Sequence, residues 1–161
     1  MARIPQASVP SQSYNKTSRI KPPEGLYSLF ILKESGCPFY YQIFTSDENH
    51  PDPAILGGFF IALSLFAKEV TSGHIETVTT EPCRYTFHPL QNGLLVISSS
   101  KTSNPIIIET IAKRIVKLFL TKYRDRLIKP QPAAICAPEL NEQIAQILDE
   151  TNLRITQECA I

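Results

Sequence analysis

Three histidines, four cysteines and one adjacent pair of acids in a loop are where chemistry would be looked for in this chain, and their spacing argues against it. His50 lies in the polar loop Thr45 to Pro51, while His74 and His88 fall in two separate segments of strand character. His88, next to Pro89 at a strand end, reads as a surface residue rather than a base. Cys37, Cys83, Cys136 and Cys159 form no CxxC pair and have no histidine at metal-ligand spacing, so they read as reduced thiols. Asp47 and Glu48 have no basic or apolar surroundings to perturb them and read as solvated. There is no Gly-rich phosphate loop ending in Lys-Ser or Lys-Thr, no GxGxxG after a strand, no HExxH and no GxSxG. The expectation is a protein that is not an enzyme, with no catalytic residues, no cofactor and no metal.

Charge points to interfaces instead. A net charge of +1 gives no global attraction to nucleic acid, which is not expected as a partner, or to an anionic membrane. Locally the balance is uneven. Lys113, Arg114, Lys117, Lys122, Arg124, Arg126 and Lys129 face the single acid Asp125. Cations are favoured near a helix C-terminus, so a solvated face is the plain reading, and a patch for an acidic protein or phospholipid is the sharper one. Residues 1–23 hold four prolines and carry Arg3, Lys16, Arg19 and Lys21 with no acid, a composition expected to stay disordered or extended. The N-terminus lacks the continuous apolar core of a secretory signal, and a cytoplasmic protein is expected, with membrane contact at most peripheral.

The elements are organised around Asp52 to Val70, DPAILGGFFIALSLFAKEV. Asp52 can cap the first free amides, Pro53 loses nothing at the first turn, and Gly73 offers a stop. At about 100° per residue Ile55, Phe59, Ala62, Leu63, Phe66 and Val70 form one apolar face, while Leu56, Phe60 and Ile61 widen it in both directions. A helix apolar on two sides sits deep in a core or is shared with a partner. Gly57 and Gly58 each cost about 1 kcal/mol relative to Ala and need a packing reason. The face of Ile55 and Phe59 is assigned to the domain's own core, with Gly58 beside it. Gly57 falls on the other side, towards a partner.

Before this helix, Leu26 to Leu32 is almost continuously apolar, as a strand buried on both faces would be, and Phe39 to Phe44 returns antiparallel to it across Lys33-Glu34-Ser35-Gly36. After it come His74 to Thr80, Cys83 to His88 and Leu94 to Ser98, the last two joined by a turn at Gln91-Asn92-Gly93. Asn104 and Pro105 open a second helix whose buried stripe is Ile108, Ile111, Ala112, Ile115, Phe119 and Tyr123. A proline-punctuated linker leads to a third helix from Pro138 to Asn152, with Leu140, Ile144, Ile147 and Leu148 on one side. The expected organisation is a tail at 1–23, a core at 24–129, a linker and helix at 130–152 and a tail at 153–161. The fold class is α+β, with a five-stranded antiparallel sheet, helices on both faces and the order ββαβββαα.

That order, carried by GLYSLFIL, FYYQIF, ILGGFFIALSLFAKEV leading to GHIETVTT, RYTF, LLVISSS and FLTKYRDRL, resembles the longin domain, a profilin-like fold related to roadblock domains. Roadblock domains start with an extra helix, which residues 1–23 do not readily supply, so longin is the preferred resemblance. The resemblance covers about residues 24 to 152. It implies a non-enzymatic module that dimerises with itself or with another longin- or roadblock-like chain, and that serves as a platform or regulator for a small GTPase or for vesicle trafficking. The surface it implies is Leu56, Gly57, Phe60, Ile61, Ser64 and Ala67 on the helix, with His74, Glu76 and Val78 on the strand. With no heptad-repeat segment or apolar anchor after Asn152, a direct membrane-fusion role is not expected. The alternative is a small-molecule-binding sensor domain of the same profilin-like fold, holding its ligand between sheet and helices.

Overall fold

The computed structural model describes residues 21–45, 51–129 and 138–160. Most of the expected tail at 1–23, part of the loop after the first hairpin and most of the proline-rich linker lie outside the described residues. The elements are β1 (Leu26–Lys33), β2 (Pro38–Ile43), α1 (Pro53–Thr71), β3 (Thr77–Thr79), β4 (Arg84–Leu90), β5 (Gly93–Ser99), α2 (Pro105–Leu118) with a π-helical turn (Phe119–Tyr123), and α3 (Pro138–Cys159). The five strands form one sheet in the order β2-β1-β5-β4-β3, and every pairing is antiparallel.

The central pair explains the continuous apolar runs. Strand side chains alternate between faces, so a strand covered on both sides needs apolar residues at every position. Leu29 and Ile31 of β1, with Leu95 and Ile97 of β5, enter the core beneath α2 and α3. Phe30 and Leu32, with Leu94 and Val96, enter a second core beneath α1 together with Phe60 and Phe87. All eight of these central-strand side chains are at most 4% exposed, and each contributes about 1.5–3 kcal/mol.

Local chemistry places the ends. The Asp52 carboxylate accepts from Ala54 N at 2.8 Å, and the Asn104 side chain accepts from Ile106 N at 3.0 Å, so both long helices start as their capping residues require. The hairpin turns place Gly36 (φ 86°) and Asn92 (φ 66°) in the left-handed region, which these residue types tolerate. α1 closes on Ser72 (φ 56°), one residue before the expected stop at Gly73.

Three boundaries differ from the sequence reading. β3 keeps only Thr77–Thr79, because Ile75 and Val78 both turn towards the α1 core although residues three apart point to opposite faces of a regular strand. α2 ends at Leu118 and passes into the π turn. α3 runs to Cys159 and absorbs most of the expected tail at 153–161, since no Gly or Pro interrupts residues 153 to 159. It packs on its own domain: Leu140, Ile144, Ile147 and Leu148 are buried, and Tyr123 Oη donates to Gln143 Oε1 at 2.8 Å.

Candidate functional site

α1 meets the sheet at a contact only glycine allows. A Cβ on Gly57 would run into the carbonyl oxygen of Gly36 and lie 3.0 Å from a Leu32 methyl, and a Cβ on Gly36 would lie 3.0 Å from the Gly58 Cα. The hairpin turn and the helix thus touch backbone to backbone. One turn on, Phe60 is 2% exposed, with its ring centroid 5.9 Å from Phe30, 5.4 Å from Tyr85 and 5.8 Å from Phe87. Such aromatic pairs add about 0.5–1.5 kcal/mol each beyond their buried area.

This contact reverses the faces expected from the sequence. Gly57 and Phe60 are buried and Leu56, Ile61, Ser64 and Ala67 half-buried on the sheet side, so the helical part of the expected interface lies at the domain's own core. Gly58, assigned to the core, has open space around it. The outward face carries the residues that were assigned inward: Ile55 is 70% exposed, Phe59 58%, Phe66 64% and Val70 65%, with Leu65 at 56% beside them. Both faces are apolar, so periodicity alone could not choose between them. The usable signal was the pair of hairpin and helix glycines, Gly36 and Gly57, which mark a close backbone crossing.

Ile55, Phe59, Ala62, Phe66 and Val70 recur at steps of three and four, forming a stripe along the outer side of the helix. Five of the nine large apolar side chains exposed among the described residues belong to α1. α1 is also long and apolar enough to cross a membrane by length and composition, though it lies against the sheet. At the sheet's margin, β3 pairs with β4 on one side, and no strand pairs with its other edge among the described residues. His74 and Glu76 are exposed, and Val78 is half-buried opposite Tyr85.

The basic residues are dispersed in role. Lys113 pairs with Glu109 at 3.7 Å, and Arg114 pairs with Glu150 while also donating to the Ile147 carbonyl at 3.5 Å. Hydrogen bonds from Arg114 and Gln146 hold the Glu150 carboxyl below its usual range. Arg114 therefore ties α2 to α3. Lys117, Lys122, Arg124 and Arg126 are exposed, the last with its guanidinium 5.4 Å from the Tyr123 ring centroid.

The titratable groups have structural surroundings. His88 is not the surface residue expected: its Nε2 is buried without a hydrogen-bond partner, and burial lowers its pKa against a smaller opposing effect from Glu109. The Tyr85 hydroxyl is pushed up to about 12 by burial and, secondarily, by its hydrogen bond with Cys83. Among the described residues no group of three or more His, Cys, Asp or Glu is placed to hold a metal ion. A crevice of about 10 Å³ between Leu90, Gln91, Phe119, Leu120, Arg124 and Leu127 is far below the several hundred Å³ of a typical ligand site.

The Roadblock/LC7 domain from Streptomyces avermitilis is similar to this chain with a TM-score of 0.51 at 12% identity, covering 65% of this chain and 88% of that one. The fold is roadblock-like. MglB from Myxococcus xanthus is similar at a TM-score of 0.48 and 13% identity (66% and 83% covered), and the gliding protein MglB from Thermus thermophilus at 0.44 and 12% (78% and 79%). No family model matches the chain, and no curated protein sequence matches it. Among the described residues no helix precedes β1, and the region where an added roadblock helix would stand lies outside them.

Proposed function

We propose that this chain is a non-enzymatic interaction module of the longin and roadblock kind, which pairs with itself or a similar chain and serves as a platform or regulator for a small GTPase or trafficking system. The observation that carries the reading is the outer stripe of α1. Among the described residues nothing covers Ile55, Phe59, Phe66 and Val70 on a helix already anchored by Gly57 and Phe60, and a contiguous apolar face of this kind is what protein interfaces bury. The edge of β3 that no strand pairs among the described residues adds a second means of association, by extending the sheet. The setting this reading fits is the cytoplasm, with peripheral contact at membranes.

The GTPase half of the reading is tested by pull-down against a panel of small GTPases in both nucleotide states, with the unmodified chain and with Phe59→Glu. Capture that depends on nucleotide state and is lost in the variant is the expected result. Failure to capture any GTPase would remove this half and leave the pairing to its own test.

A further inference from the structure

One end of the sheet gathers three segments. Lys33, at the end of β1, stands opposite Gly93 in register, and its Nζ donates to the Lys129 carbonyl at 3.0 Å. A Cβ on Gly93 would lie 3.1 Å from a Leu127 methyl, and Leu90 at the end of β4 and Gln91 of the following turn share a crevice with Leu120 and Arg124. The π turn widens the helix here. Phe119 and Tyr123, four apart, are both buried, and Leu120, Thr121 and Lys122 between them all face solvent.

The cations of this end are mostly unspent. Among the described residues the ion pairs are Lys113 with Glu109 and Arg114 with Glu150, so Lys117, Lys122, Arg124 and Lys129 are exposed with no ion-pair partner. Asp125 is the only acid in their segment; from neighbouring elements, Glu139 of α3 lies near enough to act on the Tyr123 hydroxyl, and Glu34 follows in the chain Lys33, whose Nζ reaches the Lys129 carbonyl. Two large apolar side chains of the same segment are exposed alongside these cations in the chain: Leu120 is 50% exposed and Ile128 62%.

We propose that this end docks on an anionic phospholipid bilayer, with Lys117, Lys122, Arg124 and Lys129 on the headgroups and Leu120 and Ile128 entering between them. Charge complementarity carries the choice of anionic surface, and the protruding apolar side chains carry the choice of lipid. A peptide needs a groove to seat its side chains, and the local crevice of about 10 Å³ offers none, whereas a bilayer takes up exposed apolar groups beside exposed cations. The inference does not rest on the pairing proposed for α1, which uses a different surface.

The test is cosedimentation of the full chain with phosphatidylcholine vesicles, with and without about 30% phosphatidylserine. Binding is expected only with phosphatidylserine and should weaken as salt is raised. Each cation near the surface is worth about a fivefold change in partitioning, so Lys122→Glu with Arg124→Glu should weaken binding at least about 25-fold. Leu120→Ser with Ile128→Ser should weaken it while leaving its salt dependence in place. If the charge-reversed protein does not fold by circular dichroism, Lys117→Gln with Lys129→Gln makes the same test with milder changes. Absence of binding to the anionic vesicles would overturn the proposal, even if an acidic protein were captured. So would equal binding to phosphatidylcholine alone, unchanged binding in a folded charge variant, or binding abolished by Phe59→Ser with Phe66→Ser, which would move the contact to α1.

Discussion

At the scale of single residues, two adjacent glycines separate cleanly. Gly57 lies against the Gly36 carbonyl, and a methyl there must displace backbone, which costs about 1–3 kcal/mol by overpacking. A methyl placed on Gly58 would meet nothing within 4 Å, so Gly58→Ala should recover most of the helix propensity lost to glycine, about 1 kcal/mol. Urea melts should show Gly57→Ala destabilised and Gly58→Ala unchanged or stabilised; the reverse order would mean the helix face is wrongly assigned. His88 gives a second prediction. Burial lowers its folded pKa below the unfolded value of 6.5, so as pH falls below 6.5 the unfolded chain takes up a proton that the folded chain resists. Stability should therefore fall on the acid side of 6.5 and be flat above it as far as this residue is concerned. His88→Leu should flatten that slope in melts run across the range, and an unchanged slope would assign the acid sensitivity elsewhere.

At the scale of elements, α3 shows which kind of contact holds a helix down. Its ion pair with α2 is partly exposed, the Arg114 and Glu150 side chains being 30% and 39% accessible, and solvent screening leaves such pairs little net contribution to stability. Ile144 is 0% exposed, and truncating a buried isoleucine to alanine removes about 2–5 kcal/mol. Ile144→Ala should thus destabilise the protein well beyond Glu150→Gln in thermal melts; comparable effects would make the ion pair the true anchor. Elements of this kind were legible in the sequence because each has one apolar stripe: Ile108, Ile111, Ala112, Ile115, Phe119 and Tyr123 of α2 and its π turn, and Leu140, Ile144, Ile147 and Leu148 of α3, are all buried as their spacing predicts. β1 was legible because its run of apolar residues has no polar face. α1 was legible as a helix and illegible in orientation. Its two apolar sides have similar transfer energies, and the choice is made by a tertiary contact with Gly36, in the hairpin turn that precedes the helix in the chain. β3 was overextended for a related reason, since Ile75 and Val78 share a core through a bend that strand periodicity does not anticipate.

At the scale of the whole molecule, the two faces of the sheet are finished to different degrees. Among the described residues the α2 and α3 side is closed by two helices with their apolar stripes buried, while the α1 side is covered by one helix that carries a second apolar face outward. Covering that face with a second chain would bury Ile55, Phe59, Phe66 and Val70, whose combined transfer energy of several kcal/mol is set against the translational and rotational cost of association. The same side chains contribute little to the isolated fold, so polar substitution there should change monomer stability by no more than about 0.5 kcal/mol. Sedimentation equilibrium at micromolar concentration, on the unmodified chain and on Phe59→Ser with Phe66→Ser, therefore tests the account most directly. A dimer for the first, and for the second a folded monomer that melts below it only by the stability that pairing adds at that concentration, is the predicted result. A monomeric unmodified chain, or a double variant that still pairs, would contradict it.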